Sequence, residues 1–288
     1  MNQLSQFPLQ IPGNWAQQID ASLRAFREQA SESLALISKI IGGLVSGILW
    51  LLQLLPWFFL VALVFFLGWR CSRKVTTGLL YAGSLCIIGC LGLWEMMYET
   101  LAIVTASVLF SILLGFPIGV LISGSDRGSK ILRPVLDTMQ TMPIFVYLIP
   151  AALFFGLGKT PAVIASVIYS VVPTIRLTNL GIRQVDKEVM EAAKAFGSTR
   201  LQTLMKVQIP LAFTTILTGF NQTLMMSMAM VTTSSMIGAS GLGMEVLISV
   251  NRMEIGRGLF AGSAVVILAV IMDRLTQGWF KSEVKPDA

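Results

Sequence analysis

Residues Thr100–Ser125 read TLAIVTASVLFSILLGFPIGVLISGS, 26 positions without a charged side chain. A helix rises about 1.5 Å per residue, so about 20 apolar residues cross the roughly 30 Å of bilayer hydrocarbon. One such run could be a buried core helix, but this one belongs to a series. Ile40–Trp69, Val75–Trp94, Thr138–Gly158, Thr160–Ile175, Val207–Met244 and Gly258–Met272 are equally free of charge. Of the 288 residues 55% are apolar and 12% charged, about half the charge of an average water-facing domain. That composition excludes a soluble enzyme. The expected fold is an all-α membrane protein of about seven transmembrane helices, near 53–69, 75–93, 100–123, 138–157, 161–178, 209–235 and 259–275.

Basic residues give the orientation, because they collect in cytoplasmic loops. Arg70, Arg73 and Lys74 mark one such loop, and Arg127, Lys130 and Arg133 mark another. Arg176 to Lys206 carries six basic and three acidic residues. The turn with Glu95 and Glu99 has no basic residue and suits the outside. The N-terminus is then outside and the C-terminus inside, with a net charge of +6 explained by sidedness and not by nucleic acid. Trp57, Trp69, Trp94 and Trp279 fall near segment ends, where indole rings favour the interface. There is no histidine, and no metal site is expected. Cys71, Cys86 and Cys90 read as small buried hydrophobes.

The chain divides into an N-terminal tail with an amphipathic helix (1–52), a membrane domain (53–277) and a cytoplasmic tail (278–288). Trp15, Ile19, Leu23, Phe26, Ala30, Leu34, Ile37 and Ile41 recur every three or four residues, one apolar stripe that suits a helix lying in the membrane interface. Residues 36–52 are alternatively an eighth span, which would move the N-terminus inside. No secretory signal is evident.

The longest polar stretch between spans, residues 179–208, holds the most informative pattern. Asp186–Phe196 has good helix formers and Gly197 ends it as a C-terminal cap does. A second amphipathic turn, Ser198–Val207, places Leu201, Leu204 and Met205 on one side, and Pro210 opens the next span. Glu191-Ala192-Ala193, Gly197 three residues on, and Val207-x-Ile209-Pro210 after nine more resemble the EAA loop of bacterial ABC importer permeases. Val207 and Ile209 are conservative departures from that pattern. The stretches Leu132–Pro150, Pro173–Thr178, Gly181–Val185, Lys206–Pro210, Asn221–Leu224 and Ile271–Gln277 are similar to the permeases for glycine betaine and proline betaine. The likeness covers roughly 95–277.

This resemblance implies a type I importer permease fold, with Glu191, Ala192, Ala193, Gly197 and Pro210 coupling the chain to a cytosolic ATPase. It implies a homodimer in the bacterial inner membrane and a separate extracytoplasmic substrate-binding protein. ATP and Mg belong to the ATPase, and no cofactor is expected on this chain. Gly156-Leu-Gly-Lys-Thr160 is a false P-loop, since position 153 is Leu153. A different amine cargo, choline or carnitine, fits the same architecture. A secondary transporter would want ionisable groups inside its spans, and no acidic residue reads as lying deep in one.

Other residues are weaker candidates. Gly43-x3-Gly47 and Gly115-x3-Gly119 allow close helix packing. Pro143, Pro150, Pro161 and Pro173 mark spans four and five as candidates to bend and line a path. Asn221, Gln222 and Thr232 are polar groups in the sixth span, open both to a path and to helix–helix hydrogen bonding. Tyr147 and Phe145 are aromatic faces available to a quaternary ammonium. Ile237–Gly243, with Gly238, Gly241 and Gly243, resembles the G-x-x-G-L-G turn of related permeases and is expected to form an external gate. Ser240 stands where many relatives have proline. Glu245, Arg252, Glu254 and Arg257 would then face the binding protein.

Overall fold

The computed structural model describes residues 14–283, so the expectations for 1–13, for 284–288 and for the Trp279 side chain lie outside the described residues. Within them every regular element is helical. The helices are α1 (Asn14–Gln29), α2 (Ser31–Leu54), α3 (Trp57–Ser72), α4 (Val75–Cys90), α5 (Trp94–Ser123), α6 (Asp126–Thr141) and α7 (Phe145–Phe155). They continue with α8 (Lys159–Arg183), α9 (Lys187–Ala195), α10 (Arg200–Thr203), α11 (Ile209–Thr233), α12 (Leu242–Arg252) and α13 (Ile255–Glu283). Five helical segments among the described residues are long and apolar enough to cross a membrane: α2, α5, α8, α13 and the run Arg200–Ile237 that contains α11. Counting α6 and α7 as one broken span makes six.

The centre of the molecule is α5, α8 and α11, held together by small residues every fourth position. Ser107, Ser111, Gly115 and Gly119 of α5 face Ser166, Ser170, Thr174 and Thr178 of α8, and all are buried. A Cβ on Gly119 would stand 2.6 Å from the Thr178 Cβ, and one on Gly115 2.9 Å from Thr174. The register is constant because the two helices run in the same direction. On the other flank α11 runs antiparallel to α8, with Gly219 against the Pro173 carbonyl. This close approach is how helices associate where lipid removes the hydrophobic drive.

Five of the hydroxyls at this seam pair with one another, while those of Ser166 and Thr178 are buried without a partner. Ser170 donates to the Ser166 carbonyl at 2.6 Å. Its oxygen is then free to accept from Ser111 and from Ser227, each at 2.9 Å. Thr174 and Thr223 pair at 2.7 Å. Three helices are thereby joined by hydroxyls that each would otherwise cost energy in an apolar interior.

Several expected boundaries are corrected. The fourth span, 138–157, is not one helix, because α6 and α7 meet at 89°. Met142 adopts an extended conformation before Pro143, as the residue preceding a proline prefers. Pro210 stands in the first turn of α11 as expected, but the helix does not begin afresh there: it continues from a π turn, Leu204–Gln208. The amide of Ile209 reaches back to the Leu204 carbonyl there. Helix α3 and helix α4 are 16 residues each, about 24 Å long, and make a hairpin against α13. Cys86 and Cys90 are exposed and Cys71 is half-buried, so the buried reading fails for the first two.

Helix α2 carries no charge after Lys39 and overruns the expected boundary at residue 52. Its length allows a span, but its contacts run along one end of the bundle. Gln53 donates to Glu95 at the start of α5, Gly42 lies against Thr160 at the start of α8, and Ser31–Ser38 face the end of α7. A helix descending through the bundle would leave that end within a few turns. Lys159 Nζ donates to Glu99 Oε1 at 2.9 Å, which ties the same end of α5 to α8. Helix α1, amphipathic as expected and with no buried residue, sits beside it.

Candidate functional site

The polar stretch between α8 and α11 is a compact knob at the opposite end of the bundle from α1 and α2. Asp186 caps α9 by accepting from the Glu188 amide at 2.9 Å. Gly197 follows α9 at φ +77°, a left-handed conformation that an L side chain rarely adopts. The Gly197 turn lets the Ser198 amide and hydroxyl both donate to the Ala193 carbonyl, at 3.1 and 2.6 Å. Thr199 and Gln202 then form a reciprocal capping box on α10. Ser198 also pairs with Thr203 at 2.7 Å, so the turn between α9 and α10 is fixed from both sides. Gln208 donates to the Ile182 carbonyl at 3.4 Å, closing the base.

The top of this knob is bare. Phe196 is 92% exposed, and Val189, Leu201 and Met205 are exposed with it. Glu191 and Ala192 are exposed, Ala193 is half-buried, and Pro210 is exposed at the base. Four of the five residues expected in the coupling role thus lie on the knob, and Pro210 stands below it in the first turn of α11. The resemblance did not single out Phe196, although its large apolar side chain beside the glycine turn was a signal.

The expected path residues do not come together. Tyr147 is buried; its hydroxyl donates to the Met139 carbonyl at 2.5 Å and its ring lies 6.3 Å from that of Tyr169. It therefore fastens the bend between α6 and α7. Pro150 is half-buried one turn further on. Asn221 donates to Asp273 of α13 at 2.9 Å, which favours helix–helix bonding over a path. Gln222 is exposed on another side of α11. Thr232 bonds to its own helix, at the Met228 carbonyl, near the far end. Asp273 is the acidic group within a span that the sequence reading missed, though position 273 fell inside the expected seventh span. Its side chain is 17% exposed.

The glycine turn is formed as expected. Gly238 and Gly241 have φ of +83° and +119°. Gly243 has ordinary angles, but a Cβ there would lie 2.6 Å from the Thr232 carbonyl oxygen. Thr100 Oγ1 accepts from the Leu242 amide at 2.9 Å and supplies the missing cap of α12. The Gly158 amide donates to the Ile237 carbonyl at 3.0 Å, tying the α7–α8 turn to the same place. Arg252 and Glu254 are exposed. Glu245 does not face outward: it is 5% exposed and paired with Arg257 at 2.7 Å. No group of residues able to hold a metal occurs among the described residues.

A bundle of apolar helices with a tight small-residue seam, carrying one rigid, water-exposed knob at one end, defines a multi-pass membrane transport subunit. Residues 107–280 match the family of binding-protein-dependent transport system inner membrane components, and the chain belongs to that family. A glycine betaine/carnitine transport permease protein of Listeria monocytogenes serotype 1/2a (strain 10403S) is 47% identical, over 85% of this chain and 88% of its own length. A glycine betaine transport system permease protein of Bacillus subtilis (strain 168) is 42% identical over 96% of both chains. The fold is similar to that of the MetNI methionine ABC transporter in an inward-facing conformation. That match has a TM-score of 0.57 and 22% identity, over 67% of this chain and 94% of the other.

Proposed function

We propose that this chain is the membrane-spanning subunit of an ATP-driven importer for glycine betaine and related compatible solutes. The cargo reading is supported by the named transport roles of relatives that align along most of its length. The coupling reading is supported by one observation above others: an apolar tip, Phe196, held fully exposed on a knob that hydrogen bonds fix at both ends. An exposed aromatic on a rigid element is the kind of anchor that fills a partner's pocket. In this reading a cytosolic ATPase, carrying its own ATP and Mg, takes the α9–α10 knob into a cleft. Closure of two such ATPases on a homodimer of this chain pushes on Glu191–Gly197 and turns the path outward.

The loop end is then cytoplasmic and the Gly238–Gly243 turn faces outward, beneath an extracytoplasmic substrate-binding protein that Arg252 and Glu254 can reach. The host is a bacterium and the membrane its inner one, with the C-terminus inside. Specificity rests mainly on the binding protein, and the path need only admit a dipolar solute.

The test is ATP hydrolysis by the complex purified through this chain, with the binding protein and with glycine betaine, choline or carnitine. Stimulation by glycine betaine at concentrations where choline does nothing is the expected result. Activity that ignores glycine betaine would overturn the cargo, and recovery of no ATPase would overturn the coupling role.

A further inference from the structure

Where α1 meets α2, Arg24, Arg27, Glu28, Ser31 and Ser38 line one wall of a cavity of about 810 Å³. The facing wall is the end of α7, from Leu153 to Gly156. The Phe26 ring meets Phe154 edge-on, with centroids 5.9 Å apart, and seats α1 there. Neither Arg24 nor Arg27 has an ion-pair partner among the described residues. The first 13 residues hold no acidic side chain to answer them. On their other faces the same two helices expose large apolar side chains: Trp15 and Ile19 on α1, and Leu36 and Ile40 on α2.

We propose that this cavity binds the headgroup of a phospholipid, in the leaflet remote from the α9–α10 knob. Two guanidiniums one helical turn apart offer several fixed donors, which match the oxygens of a phosphodiester. The remaining walls are acceptors. The last carbonyls of α7 lack partners within their own helix, and Glu28 adds a carboxylate. Those acceptors select a headgroup that carries donors, the hydroxyls of glycerol or the ammonium of ethanolamine. A choline headgroup offers none. The acyl chains then leave the cavity around α2 toward its outer face, where Leu36 and Ile40 are exposed and which a free phosphate ion would leave uncovered. The exposed stripe of α1 rests in the same interface.

The experiment is native mass spectrometry of the full chain, washed in detergent and offered defined phospholipids. Phosphatidylglycerol or phosphatidylethanolamine is expected to stay bound where phosphatidylcholine at equal concentration is retained roughly tenfold less. Arg24→Ala/Arg27→Ala is expected to reduce retention about tenfold, while Arg127→Ala/Arg133→Ala at the other end leaves it unchanged. Should the alanine pair fail to fold, Arg24→Lys/Arg27→Lys keeps the charge and loses the fork, and retention should still fall several-fold. Equal retention of phosphatidylcholine, or full retention by both variants, would overturn the proposal. So would displacement of the lipid by millimolar inorganic phosphate or by glycine betaine, since either would show a small-ion site instead.

Discussion

Asn221 Nδ2 donates to Asp273 Oδ1 at 2.9 Å, and Gln277 Nε2 donates to the same oxygen at 2.7 Å. The bond joins α11, part of the central seam, to α13, which packs on the α3–α4 hairpin. A carboxylate inside a membrane segment persists where such partners meet it. Interhelical hydrogen bonds in membranes are worth about 0.6 kcal/mol on average and up to about 1.7. Asn221→Leu is therefore expected to cost about 1 kcal/mol, and Asp273→Leu a similar amount. The double variant should lose clearly less than the sum. Thermal unfolding of all four proteins in detergent measures this, and strictly additive losses would deny the pairing.

Gly119 offers a sharper test of the seam. A Cβ there meets the Thr178 Cβ at 2.6 Å and the Ile175 carbonyl oxygen at 2.9 Å, and backbone cannot swing aside. Overpacking of this kind costs about 1–3 kcal/mol. Gly119→Ala should be destabilised by that amount, whereas Gly43→Ala, with nothing within 4 Å of its Cβ, should be neutral or slightly stabilised. Shortening the partner, as Thr178→Ala on the Gly119→Ala background, should restore part of the loss. Unfolding midpoints that rank the two glycines equally would refute the close approach.

These two cases show what the sequence makes legible. Charge-free runs declare the helices because the solvent is hydrocarbon and charge there is prohibitive, so α5, α8, α11 and α13 are read correctly in kind. The loop is read in detail because capping residues and the left-handed glycine are local signals: Asp186, Gly197 and Thr199 act within a few residues of themselves. Gly115-x3-Gly119 was visible, yet its continuation through Ser107 and Ser111, and the matching track on α8, show only once the helices face each other. Pro143 marked this span as one that could bend, but the break at Met142–Ile144 lay hidden because Thr138–Thr141 carry no charge and so join α7 in one charge-free run. Asp273 was missed because its partner stands 52 positions away. Helix α2 has the composition of a span, and only its contacts place it across one end.

Tyr147 is expected to govern the bend. Its hydroxyl is the donor to the Met139 carbonyl across the break between α6 and α7. Tyr147→Phe removes that bond and keeps the ring against Tyr169, leaving a carbonyl short of a partner at a cost of about 1 kcal/mol. Since about 1.4 kcal/mol is a factor of ten in an equilibrium, amides near 139–148 should exchange roughly fivefold faster. Exchange elsewhere, in α5 for example, should not change. Unaltered exchange at the bend would mean that Pro143 alone sets the angle.

The knob separates fold from function most cleanly. Phe196 is 92% exposed, so Phe196→Asp touches nothing within the chain and should change stability by no more than about 0.5 kcal/mol. If the side chain anchors a partner ATPase, the same change should cost most of the ATPase recovered with the chain, because buried aromatic anchors carry upwards of about 2 kcal/mol at an interface. Gly197 probes shape instead of surface. A Cβ there meets nothing within 4 Å, and the cost of Gly197→Ala is the left-handed backbone alone, about 1–2 kcal/mol. Asparagine tolerates that conformation better than alanine does. The expected order of ATPase recovery is wild type, Gly197→Asn, Gly197→Ala and last Phe196→Asp. Full recovery with Phe196→Asp would place the docking surface elsewhere on the chain.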